Sequence, residues 1–129
     1  MRKLTLTLSL VFTVTLSSPS YAKWTKVGES VSGDIYYVDF ERIRKHDGYV
    51  YFWVLENLLK PDKYGDLSVK TYYQSDCKLF RHKRVTASYH TQPMGEGTPS
   101  ASGASKNQQW DYPSPNSIGE TVLKSVCSR

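Results

Sequence analysis

Hydrophobic and polar residues alternate with a period of two along most of the chain, the spacing that sends successive side chains to opposite faces of a β-strand. Leu67 to Cys77 shows it most cleanly. Leu67, Val69, Thr71, Tyr73, Ser75 and Cys77 fall on one side, and Ser68, Lys70, Tyr72, Gln74 and Asp76 on the other. The first set is the more apolar, so it is expected to face the core and take Cys77 with it. Upstream, Trp24 to Glu29 and Asp34 to Phe40 flank Ser30-Val31-Ser32-Gly33, a hairpin signal with Gly33 free to take a positive φ. Tyr49 to Leu59 is rich in aromatic and β-branched residues, as a well-packed strand should be. Glu41 to Gly48 is charged and reads as a turn or one-turn helix, and Lys60 to Asp66 as a loop marked by Pro61 and Gly65. Leu79 to Tyr89 is the next strand, joined to its predecessor by a tight turn.

The pattern breaks between His90 and Gln109, a stretch rich in Gly, Pro and Ser with little to bury; it reads as a surface loop. It resumes with a different period near the end. Ile118, Val122 and Val126 form a helical stripe flanked by Leu123 and Cys127, and Ser117 and Glu120 have capping-box spacing. A short C-terminal helix is expected to lay this stripe on the sheet, which makes the fold class α+β with an antiparallel sheet.

The first 22 residues stand apart. Arg2 and Lys3 precede an apolar run from Leu4 to Leu16, and a polar stretch ends in Ser20 and Ala22 at small-residue spacing. This is the layout of a secretory signal peptide, cut after Ala22. The apolar run falls short of the roughly 20 residues of a spanning helix. Lys23 follows the expected cut, so no lipid anchor is expected. The remaining chain, Lys23 to Arg129, is of single-domain length. The whole chain carries 17 Lys and Arg against 12 Asp and Glu. Without Arg2 and Lys3 the excess is mild, too small by itself to argue for a polyanion.

Export decides how the two cysteines are read. In an oxidising compartment Cys77 and Cys127 are expected to pair, closing a loop of about 50 residues and tying the helix to the strand that bears Cys77. A zinc site wants about four ligands at a spacing this chain lacks. A catalytic thiol wants a positioned histidine, and neighbouring strand residues such as His82 need not face Cys77.

Signatures of catalysis are missing: there is no Gly-x-Ser-x-Gly, no phosphate loop, no His-Glu-x-x-His and no cofactor motif. The chain is therefore read as non-enzymatic, with neither metal nor cofactor. Asp34, Asp39 and Glu41 lie close together, and Asp39 is best read as the cap of the following turn. His46, His82 and His90 are scattered and read as surface residues. The one concentration of chemistry is basic. Lys78, Arg81, His82, Lys83 and Arg84 lie within seven residues, with Arg81 and Lys83 on one strand face and His82 and Arg84 on the other; Lys70 is on the preceding strand and a second cluster is at Arg42, Arg44 and Lys45. Lys70, Lys78, Arg81, Lys83 and Arg84 form the candidate binding surface, suited to an acidic protein, a sulfated glycan or lipopolysaccharide. Export argues against nucleic acid. The aromatic residues Tyr36, Tyr37, Tyr49, Tyr51, Phe52, Trp53, Tyr72 and Tyr73 are assigned mainly to the core rather than to a stacking platform.

Taken in order, several motifs resemble the surface-adhesin protein E family. They are Trp24, Lys26 and Val27; Tyr36 to Asp39 with Ile43 beyond; Phe52 to Asn57; Ser68 to Cys77; Pro93 to Gly97; Trp110; and Pro115 to Glu120 before the helix with Cys127. The resemblance spans nearly the whole chain after the signal. It implies a small antiparallel sheet of about six strands with a C-terminal helix tied to it by a disulfide. It also implies adhesin-like binding of host extracellular-matrix or serum proteins, and pairing of two copies into a homodimer. The alternative is a periplasmic or envelope-associated structural protein. This chain lacks the family adhesin's lipid-attachment cysteine and carries a Ser/Gly-rich expansion before Trp110.

Overall fold

The structure, a computed structural model, describes residues 22–129. Apart from Ala22, the expected signal segment lies outside the described residues. Seven strands form one antiparallel sheet: β1 (Thr25–Glu29), β2 (Ile35–Val38), β3 (Arg44–His46), β4 (Tyr49–Asn57), β5 (Ser68–Asp76), β6 (Arg81–His90) and β7 (Ala101–Ala104). Among the described residues a single α-helix, α1 (Ile118–Cys127), follows. The strand order is β1-β2-β4-β5-β6-β7, with β3 also paired to β4.

The long strand β4 explains the odd place of β3. Val54 to Asn57 pair with β2, and Tyr49 to Tyr51 pair with β3, so the two short strands share one edge. Between them the chain leaves the sheet through a 3-10 turn at Phe40–Arg42. Asp39 starts that turn: its carboxylate accepts from the backbone N–H of Glu41 at 3.2 Å, and its own N–H donates to the Trp53 carbonyl. The capping role expected for Asp39 is met. At the other end of β3, Asp47 (φ 50) and Gly48 (φ 81) are both left-handed, the geometry of a two-residue hairpin.

The core lies between one face of the sheet and the helix. Val38, Val50, Phe52 and Val54 meet Val122, Leu123 and Val126, all nearly sealed from solvent. Phe52 stacks on Tyr73 with ring centres 5.6 Å apart. Ile118 seats against Gly28, where any side chain would occupy its space. Ser117 caps the helix, its hydroxyl accepting from the Glu120 N–H at 3.2 Å. Glu120 reaches back to the Asn116 N–H rather than to that of the cap, and also pairs with Lys124. The Cys77–Cys127 disulfide fixes the last helical turn to the end of β5, with the two Cα atoms 5.6 Å apart.

Three expectations change. Arg44 to His46 is a strand, not part of a turn or one-turn helix; its charged residues are all exposed and leave no hydrophobic trace. The stretch from His90 to Gln109 contains β7, which pairs with Thr86 to Tyr89 through the backbone ladder, aided by the Thr86 hydroxyl donating to the Gly103 carbonyl at 2.9 Å. His90 is buried, about 1% exposed, with its Nε2 3.0 Å from the Ser88 hydroxyl and its Nδ1 without a partner. The sheet also has an irregularity. Thr86 lies opposite Tyr72 and Arg84 opposite Tyr73, leaving Val85 as the extra residue of a bulge. The carbonyl of Val85 accepts from the Ser105 N–H and the Gln108 side chain.

Candidate functional site

The helix covers one face of the sheet, and the ladder registers specify what lies on the other. Directly paired residues point to the same side. One transverse row reads Arg44, Tyr51, Gln74, Lys83 across β3, β4, β5 and β6. The next reads Trp53, Tyr72, Thr86, Ala104 across β4 to β7. A third reads Lys26, Tyr37, Leu55, Lys70, Ser88, Ser102. These rows hold four cations and no acid, though buried Asp39, just past β2, lines a hollow with Trp53 and Lys70. Tyr72 is their centre: its ring lies 4.9 Å from that of Trp53 and 6.0 Å from that of Tyr51.

Both ends of this face are raised. At one end the 3-10 turn Pro93–Gly95 packs over the sheet. The Met94 N–H donates to the Asn57 side chain, and the Gly95 N–H donates to the Ser68 hydroxyl, each at 2.8 Å. Trp24, Lys70, Met94 and Glu96 line a hollow there. At the other end Asp111 forms an antiparallel bridge with His82, through bonds of 3.0 and 2.8 Å. That bridge delivers the preceding residue, Trp110, onto the open face. The Arg81 guanidinium lies 4.3 Å from the Trp110 ring centre, the Lys83 ammonium 4.7 Å, and the Tyr49 ring 5.6 Å. Two cations on one indole form a cation–π cluster. Arg81 also donates to Asp76 at 3.1 Å. The backbone N–H of Leu79, then Arg81, hold the Asp76 carboxyl below its ordinary pKa.

The five basic residues singled out in the sequence do not converge. Arg81 and Lys83 meet on Trp110, and Lys70 lies on the same face toward the opposite end. Lys78 is exposed in the turn after β5. Arg84 faces the helix side, opposite Tyr73. Burial raises the Tyr73 pKa there while Arg84 draws it down. The aromatic assignment is corrected as well. Phe52, Tyr73 and Tyr36 lie on the core side, but Tyr49, Tyr51, Trp53 and Tyr72 lie on the open face. Period two in Tyr49 to Asn57 already separates these sets. Nothing in the sequence signals that Trp110 joins the second.

On the helix side a cavity of about 190 Å³ is lined by Tyr36, Glu56, Tyr73, His82, Arg84 and Ile118, among others. Its polar groups are largely turned on one another. Tyr36 donates to Glu56 at 2.8 Å, and burial, followed by Glu56, drives the Tyr36 pKa well above its ordinary value. Burial also lowers the His82 pKa, with Arg84 adding to the effect and Asp111 opposing it. Among the described residues, no helix is long and apolar enough to cross a membrane.

A sheet clamped by a helix on one face, with the other left open, aromatic and cationic, defines a class of small surface-binding modules. This chain belongs to the surface-adhesin protein E family, whose model matches residues 24–128. Its fold is that of Haemophilus influenzae protein E. Crystal form II of that protein is 20% identical, with 88% of this chain and 94% of that one covered at a TM-score of 0.59. The selenomethionine form is 19% identical with the same coverage at 0.60, and a further structure of it is 18% identical at 0.57, with 88% and 91% covered. No curated protein matches this chain in sequence.

Proposed function

We propose that this chain is an exported, non-catalytic binding module that holds a host extracellular-matrix or serum protein on the open face of its sheet. In this reading residues 1–22 are a signal peptide and residues 23–129 the single working domain. Family membership supports an adhesin-like role. The observation that carries the site is Trp110, brought by the Asp111 bridge onto Arg81, Lys83 and Tyr49. A half-buried indole held at the rim of an aromatic, cationic face has the composition of an interface anchor. Lys70, Arg81 and Lys83 belong to this surface; Lys78 lies at its margin and Arg84 outside it. In the helix-side cavity Tyr36 and Glu56 bond to each other, which favours a structural role for that pair over catalysis.

The test is capture of the protein on surfaces coated with extracellular matrix or serum proteins. Trp110→Ala should lower capture by about tenfold or more, as loss of a central aromatic anchor does, with the thermal melt little changed. Undiminished capture by a folded variant would remove Trp110 from the site. Protease treatment of intact cells checks location. Protection until the outer membrane is ruptured would exclude host binding.

A further inference from the structure

The geometry points to a linear sulfated polysaccharide as a direct ligand of the open face. This rests on that face being the binding surface and goes beyond it by naming a chemistry. Arg44 and Lys83 end one row of the sheet, with Tyr51 and Gln74 between them. Three strand spacings of ~4.8 Å separate them by roughly 14 Å. Beside that row Trp53 and Tyr72 form a second, and Lys70 adds a third cation one row further. No acid interrupts the three rows. The nearest acids are each engaged or at the margin: Asp76 is bound to Arg81, Asp39 is buried beside Trp53 and paired with Arg42, and Glu96 lines the hollow next to Lys70.

Cations set apart by half-buried aromatic rings suit a chain whose anionic groups alternate with ring faces. A sugar ring is apolar on its face and hydroxylated at its rim. It can lie on Tyr51, Trp53 or Tyr72 while its rim hydroxyls meet the Gln74 amide and the tyrosine hydroxyls. Sulfate groups match the guanidinium of Arg44 and the ammonium of Lys83. An acidic peptide fits less well. An extended peptide gains most from a free strand edge, whereas Tyr51, Trp53, Tyr72 and Gln74 lie in mid-sheet, on β4 and β5, which are paired on both sides.

The test is retention of the protein on immobilised heparin, with neutral dextran and poly-glutamate as parallel surfaces. Binding is expected to heparin alone of the three, weakening as salt rises. Arg44→Gln with Lys83→Gln should reduce affinity about tenfold or more. By the counterion-release argument for linear polyanions, it should also flatten the log–log salt slope by about two. Tyr72→Leu, or Gln74→Ala should that variant fold poorly, should weaken binding several-fold and leave the slope unchanged. Absence of heparin binding, equal binding to poly-glutamate, or indifference to the cation pair would each overturn the proposal. Matrix-protein capture measured on the same variants separates the two ideas. If the cation pair abolishes that capture while heparin never binds, the open face stands as the site and the glycan is rejected.

Discussion

Replacing Cys77 and Cys127 together with alanine removes the one covalent tie between the helix and the sheet. The cysteines are 50 residues apart in sequence. A cross-link over a loop of that length lowers the entropy of the unfolded chain by an amount worth about 4 kcal/mol at 25 °C. The core contacts of Val122, Leu123 and Val126 do not depend on the bond, so the helix should stay docked and the loss should remain near that figure. For a domain of this size, 4 kcal/mol corresponds to roughly 15–25 °C in melting temperature. Urea titration followed by circular dichroism measures it. Oxidised wild type, reduced wild type and the double variant form the set. The last two should coincide, with a lower midpoint and a somewhat steeper slope, because the uncrosslinked chain unfolds to a more open state. A loss below about 1 kcal/mol would refute the argument. So would a reduced wild type as stable as the oxidised protein.

Other perturbations test the packing and the buried charges. Gly28→Val should displace Ile118 from its seat and cost about 1–3 kcal/mol of stability in denaturant titration. Ser117→Ala should cost about 1 kcal/mol by removing the cap on the Glu120 N–H, and Ser117→Asp should restore most of it. His82 predicts a pH dependence. Its folded pKa lies below the ordinary 6.5 because the ring is buried. The unfolded state therefore binds more protons, and stability should fall as pH drops from about 6.5 through the lower folded value. His82→Gln should flatten that part of a stability–pH curve measured by thermal melts.

What the sequence reveals depends on whether side chains or backbone make the element. Leu67 to Asp76 and Ile118 to Cys127 carry their periods in side chains that pack, so the strand, the helix and the disulfide between them are legible. Arg44 to His46 and Ala101 to Ala104 are strands because backbone groups find partners across the ladder; exposed charges and small residues carry no such trace. The open face is half legible. Alternation in Tyr49 to Asn57 separates Phe52 from Tyr51 and Trp53, but which side the helix covers depends on the assembled fold. The basic residues are partly legible: the period of two along β6 sets Arg81 and Lys83 apart from Arg84, but not the indole on which the first two meet. Lys83 and Arg84 are neighbours in sequence and lie on opposite faces. Trp110 was beyond reach, since a single bridge from an irregular segment puts it in place.

The bulge at Val85 has a consequence for chain length. It is a spare residue: with Val85 deleted, Thr86 would still face Tyr72 and Arg84 would still face Tyr73, so no side chain of β6 need change sides. Length variation that would scramble a regular strand can be absorbed here. The strand would, however, lose its local bend. It would also lose the carbonyl that moors Ser105 and Gln108, just ahead of Trp110. The curvature of the open face and the anchorage of its indole therefore hang on the same peptide group, and a lineage that shed Val85 would be expected to alter both at once.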